Sequence, residues 1–270
     1  MREVKVLAHR TGMAKYPPNS SEGLRGCQTD GAYGFECDIT FTALSNEPFV
    51  WISGMRKILK SSGVTMREMT FLEVAGLERT DCGEKVLHLN DVLDFLEQNQ
   101  IKAYFDLKYY HLDLFGQICL MPPRLIALVK EKIVAPALRR GLVDKIGFVA
   151  FGGGSQLLKA AKLIDSRIAT DLIIGLPWLK IDRHLGYLDA ITIGWKKPNP
   201  WRWRLCAGDL EELLYAARLN GIKVRGGLAE TEEEVGWLVE KKFDGIWTNN
   251  VPMVQKALMT QDKIWERRTK

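Results

Sequence analysis

His9 and Arg10 close a short apolar run, Val6-Leu7-Ala8, and Glu36 and Asp38 close another, Tyr33-Gly34-Phe35. Asp106 and Lys108 follow a third, Ala103-Tyr104-Phe105. Residues two apart on a strand share a face, so Glu36 projects beside Asp38 and Asp106 beside Lys108. Three converging carboxylates make an oxygen-rich cage of the kind that hard divalent cations, Mg2+ or Ca2+, prefer. A histidine, an arginine and a lysine beside such a cage suit a metal-assisted reaction on phosphate. The two cations neutralise phosphate oxygens, and the imidazole moves a proton. A lone strand-end histidine or a lone Asp-x-Lys pair is often structural. Several charged pairs on one rim are harder to explain so, because buried charge is costly unless it is paired or binds an ion.

Such a cluster needs strands that end side by side. Apolar segments at 4–8, 33–40, 102–108, 145–151, 167–172, 190–195, 223–228 and 245–248 read as strands. Helical patterns alternate with them at 20–29, 66–75, 90–97, 125–139, 155–164, 181–188, 209–220 and 254–259. Asn90 reads as the N-cap of one helix, Gly221 as the stop of another, and Thr231 with Glu234 as a capping box opening a further one. A short extended piece at 48–52 begins an irregular excursion after the second strand. This alternation predicts a (β/α)8 TIM barrel, residues 1–270 forming one domain, with the charged pairs on the rim at the C-terminal strand ends.

The 270 residues are 46% hydrophobic and 26% charged, enough for a large core. A net charge of +5 suits an anionic small molecule and is too weak to argue for nucleic acid. Five cysteines, an odd number without a C-x-x-C, exclude a disulfide framework or a zinc-finger pattern and suit a reducing compartment. The first strand starts at once, leaving no room for a signal peptide, and no apolar run is long enough for a bilayer. The expectation is a cytoplasmic protein without a transmembrane segment.

Leu7-Ala8-His9-Arg10, then Pro17-Pro18-Asn19-Ser20-Ser21-Glu22-Gly23-Leu24, then Gly34-Phe35-Glu36-Cys37-Asp38-Ile39-Thr40 resemble the signature of the glycerophosphodiester phosphodiesterase family. Phe105-Asp106-Leu107-Lys108 resembles its E-x-K strand, and Phe243-Asp244-Gly245-Ile246-Trp247-Thr248-Asn249 its late D-G-I-x-T-D turn. The likeness runs through nearly the whole chain in order. It implies a divalent metal held at Glu36, Asp38 and Asp106, His9 as general acid/base, and Arg10 and Lys108 as phosphate contacts, with Asn19 bordering the site. It implies hydrolysis of glycerophosphodiesters to glycerol 3-phosphate and an alcohol, within lipid and glycerol metabolism.

The chain departs from that pattern at identifiable places. The family's second histidine follows a short strand, but here Pro48-Phe49-Val50-Trp51 leads into Ile52-Ser53-Gly54. Thr11 replaces a glycine, and Asp106 replaces a glutamate, with a reach about 1.5 Å shorter. Asn249 replaces an aspartate, and Arg225 lies on a strand where the family keeps an aromatic. His111, just beyond the third main strand, is the candidate replacement acid, with Tyr109 and Tyr110 beside it; Arg225 is a candidate phosphate contact. His88 reads as a packing or capping residue and His184 as a surface one. The basic, aromatic stretch containing Trp201 and Trp203 reads as a lid or a weak membrane-surface or self-association contact. Two other functions remain on these residues: a catalytically silent member of the fold that binds a phosphorylated ligand or serves as a structural protein, and a phospholipase D-like lyase that forms a cyclic phosphate.

Overall fold

Among the described residues, nine strands form one sheet that closes on itself. A computed structural model describes residues 3–42, 45–50, 69–79, 81–108, 123–151, 154–174, 186–194 and 207–269, with the backbone alone at 207–209 and 262–269. The strands are β1 (Lys5–Ala8), β2 (Gly34–Phe41), β3 (Pro48–Val50), β4 (Lys102–Leu107), β5 (Ile146–Phe151), β6 (Ala169–Ile174), β7 (Ala190–Ile193), β8 (Lys223–Gly226) and β9 (Gly245–Thr248). The order β1-β9-β8-β7-β6-β5-β4-β2, with β1 also paired to β2, closes eight parallel strands into a barrel. β3 pairs antiparallel with the end of β2 and stands outside the ring, where it begins the insertion after that strand.

The helices are α1 (Ser21–Thr29), α2 (Phe71–Gly76), α3 (Leu89–Gln98), α4 (Pro123–Val129), α5 (Ala135–Arg139), α6 (Ser155–Ile164), α7 (Ala207–Leu219), α8 (Glu232–Glu240) and α9 (Val251–Thr269). α4 and α5 join through a π turn at Lys130–Val134. Pro136 supplies the reason: it lacks an N–H and its ring clashes with the carbonyl four residues back, which a wider turn accommodates. α3 buries Leu89, Val92, Leu93 and Leu96, a helical stripe facing the sheet. Its N-cap is His88, two residues earlier than Asn90: the His88 Nδ1 accepts from the Asn90 N–H at 3.1 Å, and the Asp91 carboxylate accepts from the His88 N–H at 2.7 Å. β6 begins two residues later than its apolar pattern suggests, because Asp165 accepts from the Arg167 N–H and holds that stretch as a turn.

Among the described residues the core has two layers. The larger lies between strands and helices and includes Phe35, Cys37, Phe105, Phe148, Val224 and Ile246. The smaller fills the barrel with Leu7, Tyr104, Val149, Ile173 and Trp247. Register puts Leu7 beside Trp247, Glu36 beside Tyr104 and Asp38 beside Asp106. Glu36, Asp38, Tyr104 and Asp106 therefore share the inward face. Glycine is required next to the Tyr104 ring, where a Cβ on Gly147 would lie 3.0 Å from the ring and 2.8 Å from Ala169. A buried polar group crosses this interior. Arg225 donates to Asp171 at 2.8 Å and to the Tyr104 hydroxyl at 2.9 Å, and Thr192 bridges Asp171 and the Trp247 indole.

Candidate active site

The rim site begins where β1 ends. His9, Arg10 and Thr11 form a single 3-10 turn, and the chain enters left-handed backbone at Arg10 (φ 46°) and Thr11 (φ 60°), as Asn19 also does (φ 54°). For a β-branched residue such as Thr11 this conformation is strained, on the order of 1–3 kcal/mol. The Thr11 hydroxyl offsets that strain by donating to the Arg10 carbonyl at 2.6 Å and accepting from the Asn19 N–H at 2.9 Å. α1 packs so closely on this turn that a Cβ on Gly23 would lie 2.3 Å from the Thr11 hydroxyl.

The turn points its groups at the end of β2. The Arg10 N–H donates to Glu36 Oε2 at 2.9 Å, and the Arg10 guanidinium pairs with Asp38 at 3.0 Å. The Asn19 amide donates to Asp38 Oδ2 at 3.3 Å. From β4, the Lys108 ammonium bonds Asp38 Oδ1 at 2.8 Å and also Asp106, so it lies between two carboxylates. Glu36, Asp38 and Asp106 are all buried, and each offers an oxygen within 4.8 Å of those of the other two.

Burial and charge set the protonation of this group. Burial, reinforced by the charge of Asp38, raises the Glu36 carboxyl well above its ordinary range. Burial also pushes Asp38 up, but the Lys108 ammonium and the Arg10 guanidinium outweigh it and hold Asp38 below its usual value. Asp106 is raised by burial against the pull of Lys108. Burial disfavours the Lys108 ammonium, yet Asp106, Asp38 and Glu36 keep it charged and raise its pKa. Burial, with Arg10 and Lys108 nearby, lowers His9 to about 4, leaving a neutral imidazole at pH 7.

Three buried carboxyl groups thus face two fixed cations, and burial makes Glu36 the hardest of the three to ionise without a further positive charge beside it. Glu36 Oε1 is buried and meets no hydrogen-bond donor among the described residues. A buried carboxylate oxygen without a donor is expensive, and a divalent cation would satisfy it. The donor set, all carboxylate oxygen, fits Mg2+ or Ca2+ better than a soft metal.

The structure brings together His9, Arg10, Asn19, Glu36, Asp38, Asp106 and Lys108. Arg225 does not join them: its guanidinium is engaged inside the barrel by Asp171 and Tyr104. His111, Tyr109, Tyr110, Ile52, His184, Trp201 and Trp203 lie outside the described residues. Two further residues adjoin His9. Its Nδ1 lies 2.8 Å from Asn249 Oδ1, and the Asn249 amide donates to Glu230 at 2.8 Å. Neither could be found from residue type alone. The usable signal was position, since Asn249 follows β9 and Glu230 directly precedes the α8 capping box, both on the rim.

A third addition is Arg79, in the insertion. It is buried, donates to the Asn19 carbonyl at 3.0 Å and pairs with Asp81. Glu84 from the same insertion accepts from the Ser21 and Glu22 N–H groups at 2.7 and 3.0 Å, capping α1.

Among solved structures, the fold is similar to a glycerophosphodiester phosphodiesterase from Parabacteroides distasonis (TM-score 0.75, 19% identity, 97% of this chain and 99% of that one). It is also similar to one from Thermotoga maritima (TM-score 0.67, 17% identity, 95% and 99%). A phosphodiesterase from Oleispira antarctica, solved with its product sn-glycerol-3-phosphate, matches at TM-score 0.67 and 14% identity over 94% and 96%. No family model and no curated protein matches the sequence. At such identities the likeness is one of fold. No helix among the described residues is long and apolar enough to cross a membrane.

Proposed function

We propose that this chain is a divalent-metal-dependent phosphodiesterase acting on glycerophosphodiesters, with residues 1–270 working as one domain. The observation that carries the reading is the buried triad of Glu36, Asp38 and Asp106, flanked on one rim by Arg10, Lys108 and His9. The similarity of the fold to phosphodiesterases of this type supports it.

The three carboxylates would hold Mg2+ or Ca2+, which when bound supplies Lewis-acid charge at a phosphoryl oxygen. The protein's own groups do the rest. Arg10 and Lys108 stand beside that position, where their donors neutralise the charge that builds on phosphate in the transition state. A diester carries one negative charge, which two cations and a divalent ion set against three carboxylates balance. His9, neutral at pH 7, accepts the proton of the substrate's neighbouring hydroxyl as that oxygen bonds to phosphorus and the alcohol leaves, and water then opens the resulting cyclic phosphate to glycerol 3-phosphate. Asn19 fixes Asp38 by hydrogen bonding. The leaving alcohol needs a donor, and the stretch 48–54 contains no histidine to be one. His111, which follows β4 in the sequence, is proposed for that step.

The test is release of glycerol 3-phosphate from a series of glycerophosphodiesters with Mg2+, Ca2+, Mn2+ or chelator, with His9→Ala as control. Metal-dependent release lost in His9→Ala is expected. Metal binding without turnover on any diester would instead make the protein a binding member of the fold, and a cyclic phosphate as final product would make it a lyase. His111→Ala with activity unchanged within twofold would remove His111 from the mechanism.

A further inference from the structure

We infer that Asn249 and Glu230 form a hydrogen-bonded relay that fixes which ring nitrogen of His9 carries the proton, making both of them positioning residues. The inference deepens the reading of His9 as the proton carrier and rests on it.

A carboxylate accepts hydrogen bonds and donates none, so the contact at 2.8 Å requires the Asn249 amide nitrogen to face Glu230. Asn249 Oδ1 must then be the atom facing His9, as the structure has it, 2.8 Å from Nδ1. An amide oxygen only accepts, so His9 Nδ1 must carry the hydrogen. In a neutral imidazole the lone pair then belongs to Nε2. Nε2 is the nitrogen turned to the carboxylates, 3.9 Å from Glu36 Oε2, where a substrate hydroxyl would be deprotonated.

Both relay residues are anchored so that the amide does not drift. The Glu230 N–H donates to Glu234 Oε2 at 2.7 Å, which ties it to the start of α8. The loop before it is bonded to the end of β9, by Ala229 N–H to the Trp247 carbonyl at 2.9 Å and by the Thr248 hydroxyl to the Ala229 carbonyl at 2.7 Å. The Asn249 carbonyl accepts from the Ala14 N–H at 3.0 Å, just beyond the His9 turn. The relay thus connects three loops of the rim, those after β1, β8 and β9, and selects a base-competent nitrogen without placing a second charge against the imidazole.

The test reads the tautomer directly, by long-range 1H–15N correlation on metal-free protein labelled at histidine, at pH 7, with His9→Gln used to assign the signal. The expected result is the Nδ1–H tautomer for His9 in the wild type. Asn249→Asp, which keeps an acceptor, retains it. Asn249→Ala loses it, and Glu230→Gln, which frees the amide to rotate, gives a mixture. A wild-type His9 in the Nε2–H form, or a spectrum unchanged in a folded Asn249→Ala, overturns the proposal. If Asn249→Ala does not fold, Glu230→Gln and Asn249→Asp decide it alone. In the diesterase assay, Asn249→Ala is expected to lower kcat on the order of 10–100-fold with KM within twofold, and Asn249→Asp to recover most of it. A protein with the expected tautomers but no turnover refutes the phosphodiesterase reading and leaves the relay standing.

Discussion

Lys108 lies where charge matters most, held by Asp38 and Asp106 inside the group that would bind a divalent cation. Its ammonium and the metal are attracted by the same oxygens. Lys108→Met is therefore expected to tighten Mn2+ binding by roughly tenfold or more, measured by calorimetry, since a unit charge a few ångströms away is removed. The same variant loses its internal counter-charge and should destabilise the metal-free protein by about 3 kcal/mol in denaturant unfolding, as breaking a buried pair does. His9 carries the pH signature. Its folded pKa of about 4 lies below its ordinary 6.5, so between those values the unfolded chain binds more protons. Stability therefore rises with pH through that window. The contribution is about 3 kcal/mol at 1.36 kcal/mol per pKa unit, and the difference between wild type and His9→Gln, followed by unfolding from pH 4 to 7, should show it. The charged residues were legible in the sequence because strand ends put i, i+2 pairs on one face. The state of each was not, because it depends on which neighbour lies within a few ångströms: Arg225, readable as a phosphate contact, is paired inside the barrel, and Asn249, readable only as a substitution, touches His9.

Between residue and barrel stand the loops and short elements that hold the rim. The segment from Glu78 to Lys85 closes on itself through a bridge and inserts Arg79 beneath the Asn19 loop. Asn19 in turn reaches Asp38. Arg79→Met is expected to cost about 2 kcal/mol in unfolding experiments, because it strips the buried Asn19 carbonyl of its donor and leaves the partly exposed Asp81 without its partner. It should also weaken metal binding, read by calorimetry, since Asp38 is held partly through Asn19. Glu84→Ala should cost about 1 kcal/mol, the usual value of a lost helix cap. Sequence pattern located α1, α6 and β4 almost to the residue, since hydrophobic period and local turns decide those. It could not show that Arg79 or Glu84 would meet residues some sixty positions earlier, because nothing local encodes a docking partner.

At the scale of the whole molecule, alternation of strand and helix was enough to read a closed barrel and its insertion after the second strand, since eight short apolar strands can bury both faces in few other ways. Metal binding should act on the whole fold: at a hundredfold excess over Kd it adds about 2.7 kcal/mol to stability, seen as a rise in Tm that chelator reverses and that Asp38→Asn abolishes. The contact between His9 and Asn249 spans 240 positions of the chain. During synthesis His9 is made 240 residues before its partner. Until β9 takes its place between β8 and β1, the ring stays open and His9 Nδ1 lacks its Asn249 acceptor. A chain in which β9 has not docked therefore carries the charged residues of the rim without the acceptor that faces His9 Nδ1.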